Sequence, residues 1–173
     1  MINILIQRIK LLLKGKNGFR EFAYLLGQRE SNNDYEAKNS FGYLGAYQFG
    51  MARLCDLGLT ERIKEGMSND CFKWKDGMSE DMFLNSPEVQ DQLFFRHCTD
   101  LAGTINKEFG NEIGKQKNGV IITLSGLIAG AHLLGLGGVR NFINKGEVGK
   151  DGYNTSIKDY IQSFAGFNLD KLI

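Results

Sequence analysis

Apolar positions along this chain recur mostly at steps of three and four, so the elements they predict are helices. Ile2, Leu5, Ile9 and Leu12 or Leu13 form a first stripe, broken by Gln7, Arg8 and Lys10. It predicts an amphipathic helix over residues 1–17 that packs on a body beginning at residue 18. Phe19, Ala23, Leu26 and Glu30 follow at steps of four, three and four, predicting a helix from about Gly18 to Glu30. "YQFGMARLCDLG" reads as a helix ending at Gly58, "TERIKEG" as another turn or two, and "MSNDCFKWKDGMS" as a loop.

A long helix is expected next, with Ser86 as its cap, Pro87 at its first position and Glu88 in its first turn. Val89, Leu93, His97 and Leu101 step by four along one of its faces. "NGVIITLSGLIAGAHLLG" is apolar on nearly every side and predicts the central buried helix, although "GVIIT" alone is equally compatible with a strand. "GGVRNFINKG" and "TSIKDYIQSFAG" read as two short closing helices. No run is convincing as a strand, and there is no internal repeat or linker. The expected fold class is mainly α: a single compact helical domain over residues 18–173, built around one buried helix.

Composition narrows the picture. The chain has 173 residues, 42% hydrophobic and 24% charged, with a formal net charge of +1. That length suits one domain with an adequate core, and the charge balance offers no footprint for nucleic acid. One proline and 22 glycines suit helices joined by glycine turns. Three cysteines at wide spacing, Cys55, Cys71 and Cys98, are not a disulfide framework, although one bridge with a spare thiol stays open. With only His97 and His132, and no Cys-x-x-Cys, a zinc site is not expected. The opening "MINILIQRIKLLLKGK" is too short and too interrupted to span a bilayer and has no small-residue cleavage site. Membrane-surface binding through Arg8, Lys10, Lys14 and Lys16 is the functional alternative to simple packing.

Candidate chemistry centres on Glu30. It sits on the apolar stripe of its helix, where desolvation favours a protonated carboxyl, and at a C-terminus, where the helix dipole disfavours a carboxylate. Such a position is better explained by acid catalysis than by packing. The loop that follows, "SNNDYEAKNSFGYLGAYQFG", is rich in aromatics and glycines. Tyr35, Phe41, Tyr43, Tyr47 and Phe49 fit either core packing or the wall of a cleft.

Glu30-Ser31, Ser40 and "GYLGAYQ" (Gly42 to Gln48), then "AHLLGLGGV" (Ala131 to Val139) and "TSIKDYI" with Tyr160, occur in an order that resembles the lysozyme-like superfamily. Within it, they look like the soluble lytic transglycosylase domain of bacterial cell-wall enzymes. The resemblance covers about residues 19 to 165. It implies a lysozyme-like fold, Glu30 as the catalytic residue, and Ser40, Tyr43, Tyr47, Gln48, His132 and Tyr160 as substrate-binding residues, with no cofactor and no metal. Gln48 is favoured on its own chemistry, since an amide offers a donor and an acceptor to sugar hydroxyls. Two departures stand out: Tyr43 and Ala46-Tyr47 replace the usual small and Leu-Met residues, and His132 stands where the family has a tyrosine beside the acid.

The implied activity is cleavage of the β-1,4 bond between N-acetylmuramic acid and N-acetylglucosamine in peptidoglycan, as a lytic transglycosylase leaving 1,6-anhydro ends. A muramidase-type hydrolase is the alternative, and it needs a second carboxylate from Asp34, Glu36 or Asp56. A non-catalytic glycan-binding module is another. A cysteine peptidase using Cys55, Cys71 or Cys98 is disfavoured, as none lies in a nucleophile motif. The expected partners are glycan strands, together with an inhibitor or immunity protein or a delivery apparatus; the expected state is a monomer. Lacking a recognisable signal peptide, such a protein would reach the wall by a phage or specialised secretion route.

Overall fold

The structure, a computed structural model, describes residues 18–172. The helix expected over residues 1–17 lies outside them. The described chain is mainly helical. Its elements are α1 (Gly18–Ser31), α2 (Met51–Asp56), β1 (Thr60–Arg62), β2 (Phe72–Trp74), α3 (Glu80–Leu84), α4 (Pro87–Phe109), β3 (Gln116–Lys117), β4 (Val120–Ile121), α5 (Leu124–Lys145) and α6 (Ile157–Ser163). The chain forms two compact units, Tyr24–His97 and the remainder. Both unit boundaries fall inside helices, α1 and α4.

The Tyr24–His97 unit has a core of Leu26, Leu44, Phe49, Leu54, Leu57, Phe83 and Phe94, all fully or nearly fully buried. Helix α2 ends in a six-residue closure: the Gly58 amide donates to Cys55 O at 3.0 Å and the Leu59 amide to Leu54 O at 2.9 Å. Directly after it, Thr60–Arg62 pairs antiparallel with Phe72–Trp74, Thr60 opposite Trp74. This corrects the reading of "TERIKEG" as helical and of "MSNDCFKWKDGMS" as loop. Gly58, at φ 90°, has already reversed the chain, and the Thr60 hydroxyl donates to Met51 O at 3.0 Å, fixing an extended course. Helix α2 also begins later than the sequence suggests, because residues 44–49 are committed to a turn.

In the other unit every residue of α5 from 125 to 131 is buried, as the apolar pattern predicts. The start differs. "NGVIIT" supplies the turn and the second strand of the β3–β4 hairpin, Lys117 opposite Val120, and α5 starts only at Leu124. Thr123 is its cap, accepting the Gly126 amide at 3.1 Å. At Gly135 (φ 68°, ψ 174°) the backbone leaves helical geometry, so α5 is two helical segments joined across a kink, and "GGVRNFINKG" lies in the second of them, as expected. Helix α6, expected from "TSIKDYIQSFAG", packs on α5 and is capped by Ser156, which accepts the Asp159 amide at 3.1 Å. Gly126 makes that contact possible, for a Cβ there would lie 2.5 Å from the Ile161 carbonyl oxygen. Phe22 of α1 meets Phe164 and Phe167 edge-on, with centroids 5.7 and 5.6 Å apart. The three cysteines are free thiols.

Candidate functional site

Helix α1 carries Glu30 in its last turn, half-buried, one residue before the helix ends at Ser31. The chain then reverses through Asn32 and Asn33, both left-handed at φ 62° and 58°. Asparagine tolerates that conformation better than most residues. The Asn33 amide donates to Gly27 O at 3.0 Å, and the Asp34 amide to Ser31 Oγ at 3.0 Å. The sequence "SNND" therefore builds a turn that folds the following loop back toward the acid's helix.

That loop is pinned in three ways. First, it pairs with itself. Leu44 and Phe49 exchange backbone hydrogen bonds at 3.0 and 2.8 Å, and Leu44 also bridges Lys38. The Asn39 carboxamide oxygen accepts the Phe41 and Tyr43 amides at 2.9 and 3.1 Å, shaping the bend that presents Ser40 and Phe41. Second, the Ser31 hydroxyl donates to Ala46 O at 2.9 Å, joining the residue next to Glu30 to the Gly-Ala step. Third, helix α4 grips the loop from the other side through Gln90 and Asp91.

Gln90 is fully buried. Its Oε1 accepts the Ala46 amide at 2.9 Å, and its Nε2 donates to Tyr35 O and to Phe83 O, each at 2.9 Å. Gly45, at φ 74°, makes room for it: a Cβ there would sit 2.0 Å from Gln90 Oε1. Asp91 receives two phenols on Oδ1, Tyr35 at 2.8 Å and Tyr47 at 2.7 Å. Tyr47 is only 5% exposed and stacks flat on Phe94, centroids 4.0 Å apart. Burial first, and the facing Asp91 carboxylate second, hold its hydroxyl well above the usual phenol range. Tyr35 is raised for the same two causes in the same order.

The sequence-predicted residues thus divide by unit. Glu30, Ser40, Tyr43, Tyr47 and Gln48 all belong to Tyr24–His97. Ser40 is exposed at the loop's bend. Tyr43 is 45% exposed and Phe41 57%, two aromatic rings open to solvent on the segment that follows the acid. Tyr47 is committed to packing. Gln48 is half-buried with φ 49°, and its Nε2 donates to Gly45 O at 2.9 Å, closing the turn it belongs to. His132 and Tyr160 belong to the other unit. His132 is half-buried on α5 ahead of the Gly135 kink; Tyr160 is buried on α6, its ring 5.6 Å from Phe164.

Two other carboxylates near Glu30 in sequence, Asp34 and Asp56, are held locally. Asp34 Oδ1 accepts the Glu36 amide at 2.9 Å, and Asp56 lies 3.6 Å from Arg53. The Arg53 guanidinium also donates Nε–H to His97 Nδ1 at 2.8 Å, which keeps that buried histidine's Nδ1 an acceptor. Among the described residues, no group of three or more His, Cys, Asp or Glu side chains could hold a metal ion.

Sequence reasoning missed Gln90 and Asp91. The signal was present. Gln90, Phe94, His97 and Leu101 form one buried stripe of α4, so Gln90 is a polar residue on an apolar face, the feature that singles out Glu30. Comparison with known protein families, curated proteins and solved structures finds no match for this chain.

Proposed function

We propose that this chain is a peptidoglycan-degrading enzyme with a lysozyme-like fold, a lytic transglycosylase acting on the bond between N-acetylmuramic acid and N-acetylglucosamine. Glu30 is the catalytic residue. Its carboxyl gives a proton to the glycosidic oxygen as the bond to the anomeric carbon breaks. The resulting carboxylate then takes the proton of the muramoyl 6-hydroxyl as that oxygen attacks the anomeric carbon, closing a 1,6-anhydro ring. Proton and bond counts balance without water.

One observation carries the reading: the Ser31 hydroxyl, next to Glu30, holds Ala46 O at 2.9 Å and so ties the acid's helix end to the glycine-rich aromatic loop. An acid that must meet a sugar oxygen in one geometry needs such a fixed neighbour. The exposed rings of Phe41 and Tyr43 on that loop suit stacking on sugar faces. The local engagement of Asp34 and Asp56 weighs against two of the three candidates for a second carboxylate, leaving Glu36 as the one a hydrolase would use.

The test is mass spectrometry of the products released from purified murein. Fragments ending in 1,6-anhydro-N-acetylmuramic acid, not reducible by borohydride, are the expected outcome. Reducible muramic-acid ends would replace the transglycosylase with a hydrolase. Binding without any fragment would leave a glycan-binding module.

A further inference from the structure

The geometry points to Gln90 as the positioning residue of the candidate site: from helix α4 it sets the conformation of the loop that follows Glu30. The activity part of this inference rests on the proposed wall-degrading function; the conformational part does not.

Gln offers two N–H donors and one carbonyl acceptor. At Gln90 both donors are used, on Tyr35 O and Phe83 O, and the acceptor takes the Ala46 amide. The side chain is fully buried, so no water replaces a lost bond. Its partners come from both ends of the 35–46 segment and from α3, and one side chain joins all three.

Ala46 is therefore held on both peptide faces. Its amide goes to Gln90, and its carbonyl receives the hydroxyl of Ser31, beside the acid. The Gly-Ala step of "GYLGAYQ" is then a seat cut for Gln90. A Cβ at position 45 would lie 2.0 Å from Oε1 and 2.6 Å from Cδ of that amide. Gln48, whose side chain closes the turn on Gly45 O, inherits its placement from the same seat.

No other side chain meets these demands. Asn is one methylene too short to keep all three partners. An ionised Glu has no donor and would set a carboxylate against two carbonyls. Met fills the space and bonds nothing.

The experiment compares full-length wild type, Gln90→Met and Gln90→Glu by amide hydrogen exchange and by turnover of soluble murein chains per folded molecule. In Gln90→Met, exchange at residues 37–49 should accelerate at least about tenfold while residues 125–131 keep their protection. Turnover at saturating substrate should fall ~10–100-fold with KM little changed, the signature of misplaced groups. Gln90→Glu should recover relative to wild type as pH falls, because the neutral carboxyl regains one donor.

Unchanged loop exchange, uniform loss of protection across both regions, or full turnover per folded molecule would each overturn the proposal. If wild type itself leaves murein intact, the proposed function fails and the exchange result alone decides Gln90's role. Should Gln90→Met not fold, Gly45→Ala, which expels the same amide from the opposite side, must reproduce the localised exchange or the proposal falls.

Discussion

Gly45→Ala is the substitution whose cost the structure specifies most fully. Two penalties add. Residue 45 has φ 74°, and an L-residue there costs about 1–2 kcal/mol. The new Cβ would also lie 2.0 Å from Gln90 Oε1 and 2.6 Å from its Cδ, so the amide must leave. Its departure strands the buried Ala46 N–H and Phe83 carbonyl and takes the partner from the half-buried Tyr35 carbonyl. A stranded buried group costs about 1–3 kcal/mol, and relaxation spares some of the three, so the total is roughly 3–6 kcal/mol.

Gly58→Ala provides the reference. Residue 58 also has positive φ, 90°, yet a Cβ there meets nothing within 4 Å. It should pay only the conformational penalty. Both positions lie in the Tyr24–His97 unit, so the comparison is like for like. For a chain of this size each kcal/mol lowers the melting midpoint by roughly 2–4 °C, which separates the two variants by several degrees. Urea and thermal unfolding followed by circular dichroism measure the difference. If Gly45→Ala loses no more stability than Gly58→Ala, the hydrogen bonds of Gln90 are worth little and the reasoning about this loop is wrong.

Other outcomes follow from the same structure. Glu30→Gln should retain the fold but lower murein cleavage by on the order of 10²–10⁴, read from product release; near wild-type cleavage would remove Glu30 from the mechanism. Tyr47→Phe keeps the stack on Phe94 but loses the bond to Asp91. Because the folded phenol titrates above its ordinary value near 10, its contribution is intact below that pH and is lost as pH rises through the folded pKa. Alkaline unfolding should therefore be shallower in Tyr47→Phe than in wild type, and identical alkaline limbs would contradict the assignment. Glu108, paired with Arg140 through bonds of 2.8 and 2.6 Å, is held below the usual carboxylate range by that guanidinium. Its contribution is present above the unfolded pKa and disappears as pH falls through the folded one, so Glu108→Gln should flatten the acid limb of the unfolding curve.

Local signals along the chain were enough to specify much of this protein. The stripe Phe19–Ala23–Leu26–Glu30 determined helix α1, Pro87 and Glu88 determined the start of α4, and the run from Ser125 to Ala131 determined the buried segment of α5. Each depends on short-range periodicity or on a terminus preference that acts within one or two turns. The strand Thr60–Arg62 was not legible, and Val120–Ile121 was legible only as the ambiguity of "GVIIT", for the opposite reason. Thr60–Arg62 and Val120–Ile121 are too short to show alternation, and their extended course comes from partners Phe72–Trp74 and Gln116–Lys117.

The candidate site divides in the same way. Glu30 announces itself by standing on an apolar stripe. The commitment of Tyr47 to a stack on Phe94, 47 residues on, and the grip of Gln90 on Ala46 are contacts between distant segments. No spacing in the sequence encodes them. Only folding brought helix α4 against the loop, and the burial that followed is what turned an ordinary glutamine into the fastening of the Gly-Ala step.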